Sequence, residues 1–358
     1  MRFDTNDKEK HQIENMRRLI LQNARNAKCT TQFARCFRRI TPCMVVYAVP
    51  VFILGISQFN LCELYGKIPI PLNLFRRDDL MARIIVLTHE YDDFANMGYL
   101  IEGLFKPWKE MGHSVRVVQG IPSAVDADIV IVHTDLSVVP DEYINFAAQI
   151  PVGINRNATD IRKRLVSRIL LNRGDEWDGP VIVKSDLNCR GAPEWQHNQC
   201  AQQHNRPTPY PSVDTMISYS IYHSLKMVPE TAWTNPNVVV ERFQPERDEK
   251  GFWLRCWVFF GDIERCNKFC CPDPIVKAGN AIARERAPVP DELRNERVRL
   301  GFDYGKFDFV INKGQVILLD ANRTPTGATG ISQYQESSAF QLAQGINTFL
   351  GGAHAWRK

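Results

Sequence analysis

Lys306-Phe307-Asp308-Phe309-Val310-Ile311-Asn312-Lys313-Gly314-Gln315-Val316-Ile317-Leu318-Leu319-Asp320-Ala321-Asn322 decides how this chain is read. Two apolar runs flank Asn-Lys-Gly, the signature of a β-hairpin. With the pairing centred on Gly314, Asp308 lies opposite Asp320, and opposed side chains sit ~5 Å apart. Asn322 follows Asp320 by two residues, so in extended chain it projects to the same side. Two carboxylates and an amide oxygen then share one face. Carboxylates this close raise one pKa unless a cation intervenes, and Mg²⁺ takes one or two protein carboxylates together with phosphate oxygens and water. Magnesium carrying a nucleotide fits that chemistry, with Asp308, Asp320 and Asn322 as its expected ligands. A register slip of one residue would instead leave the aspartates unpaired on the surface of an amphipathic hairpin.

Outward from the hairpin, strand-like runs at Val238–Glu241 and Phe252–Phe260 precede it and an amphipathic helix over Ser337–Leu350 follows it. Upstream, strand and helix alternate: strands at Ala82–Thr88, Val115–Val118 and Asp128–His133, helices at Asn96–Gly112 and Asp141–Gln149. That alternation argues for an α/β layer. A helix over Asp160–Leu171, with Thr159 as N-cap and Gly174 as stop, leads to the strand Val181–Lys184. The Gln-, Asn-, His- and Pro-rich stretch from Asn188 to Asn237 reads as loops around one helix at Thr215–Met227.

Bulk properties narrow the function. At 358 residues with 44% hydrophobic content the chain can bury substantial cores. A net charge of +4, from 44 basic and 40 acidic residues, gives no ground for a nucleic-acid partner. The ten cysteines are scattered and lack paired Cys-x-x-Cys spacing, so they read as reduced thiols in a cytoplasmic protein rather than as disulfides or a zinc site. Residues 1–80 differ: seven basic residues between Arg17 and Arg39 precede an apolar run from Met44 to Ile56. That run falls short of the ~20 residues of a membrane helix and contains Pro50 and Gly55. A membrane anchor through 44–56 is therefore disfavoured but stays open, beside a poorly ordered extension or a working start at Met81.

From Gly305 to Pro325, where the strand pair ends Asp320-Ala321-Asn322-Arg323-Thr324-Pro325, the chain resembles the ATP-grasp superfamily, and the resemblance extends over about residues 81–350. It implies an α/β (α+β) architecture: an N-terminal α/β pre-ATP-grasp domain at 81–155, a lid or central subdomain at 156–240, and a C-terminal subdomain with the magnesium hairpin at 241–358. It implies ATP and Mg²⁺, or Mn²⁺, as cofactors, small carboxylate and amine or thiol substrates, and ligation through an acyl phosphate. ATP-dependent phosphorylation of a small molecule and non-catalytic nucleotide binding are the alternatives.

By that resemblance Lys163 meets ATP phosphate and Lys184 lies near the α-phosphate and adenine. A lysine ending an apolar strand is costly to bury unpaired, which suits an anionic partner for Lys184. Helical periodicity leaves Arg162 as a rival for the inward cation of its segment. Glu241, Arg242 and Phe243 correspond to the adenine hinge, Glu246 or Asp248 to the ribose contact, and Arg255 to the arginine that holds the transferring phosphate. Lys306 assists at the same phosphate or binds the substrate carboxylate. The loop Ser185–Gly191 departs from the pattern in having one glycine, with Asn188 or Arg190 placed to compensate. Asp320 stands where many members carry glutamate.

Overall fold

The computed structural model describes residues 81–213, 217–327 and 333–354, all within one compact unit, Asn73–Lys358. The apolar run Met44–Ile56, the basic extension and Thr215 lie outside the described residues. Among the described residues no helix is long and apolar enough to cross a membrane.

The fold is mixed α/β, with one parallel and two antiparallel sheets. The first sheet has the order β2-β1-β3-β4, built from β1 (Arg83–Thr88), β2 (Ser114–Gln119), β3 (Ile129–Val132) and β4 (Val152–Ile154), all parallel. Both central strands are continuous apolar runs because both faces are covered. One face packs on α1 (Glu102–Glu110), whose Leu104 and Trp108 are buried with Ile84, Val86 and Ile131; the other packs on α2 (Asp141–Ala147) through Tyr143 and Phe146. The second sheet has the order β5-β8-β6-β7, from β5 (Leu170–Leu171), β6 (Val181–Ser185), β7 (Ser220–Tyr222) and β8 (Val238–Arg242).

The third sheet comprises β9 (Glu246–Asp248), β10 (Gly251–Phe260), β11 (Ile263–Cys271), β12 (Ala283–Arg286), β13 (Tyr304–Asn312) and β14 (Gln315–Asn322), in the order β12-β11-β10-β13-β14 with β9 beside β10. Trp257, Phe259, Phe307 and Phe309 fill one of its faces, while Val258, Phe260 and Tyr304 on the other join the core of the first sheet.

Four sequence-based elements are corrected, the first being the expected helix Asn96–Gly112, which Gly98 at positive φ splits into a turn at Phe94–Met97 and α1. The expected helix Asp160–Leu171 is one short turn, α3 (Lys163–Val166). Asp160 bridges Val138, Ile161 donates its N–H to Ser137 O, and Arg162 and Ser167 are extended, so tertiary hydrogen bonds override the helical spacing of the apolar residues. The helix in the polar stretch is α4 (Ala192–Gln203), upstream of its expected place; Ser220–Tyr222 is strand and Leu225–Met227 a 3₁₀ turn. The expected C-terminal helix is two, α5 (Gln333–Ala343) and α6 (Asn347–His354), separated by a 3₁₀ turn.

The decisive hairpin forms by a different route from the expected one. Asn312 pairs with Gln315, so the loop has two residues, Lys313 and Gly314, both at positive φ (49° and 83°), as a tight hairpin turn requires. That centres the turn half a residue before Gly314 and would set Asp308 against Leu319. A β-bulge between the pairs Phe309–Leu318 and Asp308–Asp320 inserts Leu319 and restores the facing of the two aspartates.

Beyond β14, Arg323 ties the hairpin to the first sheet. Its fully buried guanidinium donates to the carbonyls of Thr134, Leu136, Ser137 and Ala158. Burial lowers its pKa to about 10, so it remains the charged donor at neutral pH. Arg323→Met would orphan these carbonyls, and we expect at least about 3 kcal/mol of destabilisation in urea denaturation, since a bond to a charged donor contributes about 1.5–3 kcal/mol.

Candidate active site

A cleft of about 210 Å³ opens between the second and third sheets. Lys163, Lys184, Glu241, Arg242, Phe243, Asp308 and Asp320 all line it, as do Tyr219, Gln244, Trp253 and the Pro274-Ile275-Val276 segment between β11 and β12. A larger hollow, about 630 Å³ beside Arg294 and Arg297, holds none of the expected residues.

The charges in the cleft are arranged in pairs. Lys163 is 2% exposed and points inward, its Nζ lying 2.9 Å from Asp320 Oδ1 and donating to Leu187 O at 3.1 Å. The rival Arg162 instead pairs with Asp160 at 2.5 Å. Lys306 Nζ lies 2.9 Å from Asp308 Oδ2, while Asp308 Oδ1 is buried and has no hydrogen-bond partner among the described residues. Burial alone would push the Asp320 carboxyl up. The ammonium groups of Lys163, Lys306 and Lys184 outweigh that and hold it below the usual carboxylate range. Lys163 is penalised by burial but raised on balance by Asp320, and Lys306 is raised chiefly by Asp308.

Lys184, at the buried end of β6, lies 2.8 Å from Glu241 Oε2 and donates to Leu319 O at 3.0 Å. Leu319 is the bulge residue, so the bulge that aligns the aspartates also supplies an acceptor to this lysine.

The hinge and the ribose and phosphate contacts differ from expectation. Glu241 faces Lys184, Arg242 stacks over Trp177, and the N–H groups of Arg242 and Phe243 donate to Ile169 O and Pro180 O, which commits two of the backbone donors expected to meet adenine. Glu246 does not stand free for a ribose: it takes the Arg255 guanidinium in a bidentate pair at 2.7 and 2.8 Å and accepts the Ile311 N–H. Arg255 is thereby corrected as the phosphate-holding arginine. It pairs with Phe309 across the ladder, whereas its neighbour Cys256 pairs with Asp308, so Arg255 and Asp308 occupy opposite faces of the sheet. Asp248 is exposed on β9, outside the cleft lining, and accepts the Lys250 N–H. Asn322 shares the face of Asp320, and its Oδ1 accepts from Thr324 N at 2.8 Å and lies 3.1 Å from Thr324 Oγ1, so its own turn orients this oxygen.

Two features escaped the sequence. The loop after β6 carries three successive residues at positive φ, Cys189, Arg190 and Gly191, though only one is glycine. It is pinned by Asn188, whose N–H donates to Ser137 Oγ and whose amide donates to Asp135. Asp135, just beyond β3, also receives the hydroxyls of Tyr99 and Thr324. No local motif marks these contacts, which join residues up to 189 positions apart. Among the described residues the six cysteines are free, and no group of three or more His, Cys, Asp or Glu side chains forms a metal cage.

Comparison with known proteins gives likeness at the level of solved structures. A D-alanine–D-alanine ligase from Bacillus anthracis is similar at 12% identity and a TM-score of 0.45, over 77% of this chain and 98% of that one. A RimK domain ATP-grasp protein from Sphaerobacter thermophilus is similar at 15% identity and a TM-score of 0.42, over 75% and 100%. A RiPP-associated ATP-grasp ligase from Chryseobacterium gregarium, in complex with ADP and a leader and core peptide, is similar at 8% identity and a TM-score of 0.41, over 74% and 96%. No family model matches the chain, and no curated protein does.

Two outcomes follow from the charge pairs. Lys184→Met strands the fully buried Glu241 and should cost about 3–5 kcal/mol in chemical denaturation, most of it recovered when Glu241→Gln is added. Asp135 is held up at about 6, first by burial. Between its ordinary 3.8 and about 6 the folded form keeps a proton the unfolded form has lost, so stability falls as pH rises through that window. Asp135→Asn lacks this titration, and its stability relative to wild type should improve by about 3 kcal/mol from pH 4 to pH 7.

Proposed function

We propose that this chain is an ATP-dependent ligase of the ATP-grasp type, which activates a small carboxylate as an acyl phosphate and joins it to an amine or thiol. The observation that carries the proposal is the facing of Asp308 and Asp320 in a cleft that also receives Lys163 and Lys184, with Lys306 beside Asp308. Anionic and cationic groups are thus both at hand for a ligand that is itself a polyanion with a metal counter-ion.

The donor set suits magnesium, or manganese: two opposed carboxylates, one with a buried oxygen lacking a partner, leave the other ligand positions to phosphate oxygens and water. Bound there by Asp308 and Asp320, the ion would neutralise phosphate charge and orient the phosphates. Asn322 Oδ1 would join them through the lone pair that the Thr324 N–H leaves free.

The remaining roles fall to the chain's own side chains. Lys163, Lys184 and Lys306 would bind phosphate oxygens as point charges, and Phe243 and Ile275 would supply apolar surface for a base. The substrate carboxylate oxygen attacks the γ-phosphorus and ADP departs. The amine or thiol then attacks the acyl carbon, loses its proton and expels phosphate. Catalysis of this kind rests on positioning and charge neutralisation.

Purified protein should release phosphate from ATP only when both a carboxylate and an amine or thiol acceptor are present, with the coupled product visible by mass spectrometry. ADP formation with a single hydroxyl acceptor that itself becomes phosphorylated, with no phosphate released, would instead mark a kinase, and binding without turnover a nucleotide sensor. Asp308→Asn and Asp320→Asn should each lower turnover at least about 100-fold with the circular dichroism spectrum unchanged. Wild-type turnover in either variant would remove these aspartates from the mechanism.

A further inference from the structure

We propose that Lys163 and Lys306 are internal counter-cations of the carboxylate hairpin, exchanged as a set when a metal–nucleotide complex enters, so that the hairpin admits a divalent ion only together with polyphosphate. This rests on the reading of the cleft as a nucleotide–metal site and adds to it the order in which that site can fill.

Each aspartate already has an ammonium at 2.9 Å. Both lysines come from positions that leave them little choice of partner. Lys163 is buried and its other hydrogen bond goes to Leu187 O. Lys306 shares a strand face with Asp308 two residues away. The pairs are therefore built in, and the resting hairpin is neutral.

Three ways of filling the site follow from charge alone. A divalent ion entering by itself would satisfy the aspartates but leave two ammoniums unpaired beside a dication, one of them in a buried pocket. Removing one partner from a buried pair is strongly unfavourable. Polyphosphate entering by itself would satisfy the lysines but set its negative charge against two uncompensated carboxylates. Metal and polyphosphate together let the aspartates pass to the ion and the lysines to phosphate oxygens, so every charge keeps a partner. Each ligand alone breaks both pairs and remakes half of the interactions, and the difference appears as a coupling between the two.

The test uses the full chain and Mn²⁺ as probe, followed by electron paramagnetic resonance of the free ion. Nucleotide binding is followed by calorimetry, ATP being added with EDTA or with excess Mg²⁺. Wild type should leave free Mn²⁺ undiminished in the absence of nucleotide. Lys306→Met should bind Mn²⁺ alone at least tenfold more tightly than wild type, and Lys306→Arg should restore the wild-type behaviour. Conversely, Asp308→Asn should bind ATP in EDTA at least tenfold more tightly than wild type, because the substitution frees an ammonium, while losing the gain that Mg²⁺ gives. Thermal melts establish that each variant is folded, and Lys163→Met serves as the second cation variant should Lys306→Met fail to fold.

The exchange is overturned if wild type binds Mn²⁺ alone as tightly as folded Lys306→Met or Lys163→Met, or if Asp308→Asn does not tighten metal-free ATP while wild type binds ATP with Mg²⁺. Failure of wild type to bind ATP in any form would instead sink the nucleotide reading, and the exchange with it.

Discussion

Two carboxylates held face to face in a partly buried hairpin set a constraint that the surrounding structure answers. At ~5 Å and an effective dielectric of ~20 the repulsion of two unit charges is about 3 kcal/mol, a large share of the 5–15 kcal/mol that a folded domain has in hand. Lys306 answers from the same strand and Lys163 from a short turn on the other side of the cleft. The shape of that turn matters. Were residues 160–171 a regular helix, there would be no extended segment at 160–162 to bridge Val138 and Ser137 ahead of Lys163.

The hairpin was legible in the sequence because strand periodicity is strict, yet its legibility owed something to cancellation. Centring the pairing on Gly314 mistook a two-residue turn for a three-residue one, and missing the bulge at Leu319 made an equal and opposite error. The turn could have been read more closely, since Lys313-Gly314 can supply two residues at positive φ. The bulge could not. Its carbonyl is taken by Lys184, 135 residues away in sequence, and a local reading has no access to that contact.

Arg255 shows a different failure, one that pattern alone could have caught. On β10 it alternates with Trp257 and Phe259, whose side chains form the aromatic core on the face away from the cleft. A polar residue continuing a buried apolar face calls for a partner on that face, and Glu246 provides it from the neighbouring β9. Following the family pattern at a single position overrode the period-2 reading of the strand. The phosphate-side loop failed for a third reason. Glycine count was taken as the measure of backbone freedom, whereas Cys189 and Arg190 adopt positive φ without being glycine. Such conformations cost of order 1–3 kcal/mol each and persist only where surrounding contacts determine them; the bonds from Asn188 to Ser137 and Asp135 are contacts of that kind.

Those bonds lead back to the hairpin. Asn322, Arg323 and Thr324 alternate in direction as they leave β14. Arg323 turns to the carbonyls after β3, whereas Asn322 and Thr324 meet each other, with Thr324 reaching Asp135. The same Asp135 receives Asn188 from the loop after β6 and Tyr99 from the segment before α1. One buried carboxyl at the carboxyl end of a parallel strand, where open α/β sheets place their ligands, thus holds the strand that carries Asp320 and the loop that follows Lys184. A shift of either would break hydrogen bonds at Asp135, so the lysine-bearing and aspartate-bearing walls of the cleft are fixed to a common point. That common point helps to hold the walls at the separation across which Lys163 Nζ lies 2.9 Å from Asp320 Oδ1.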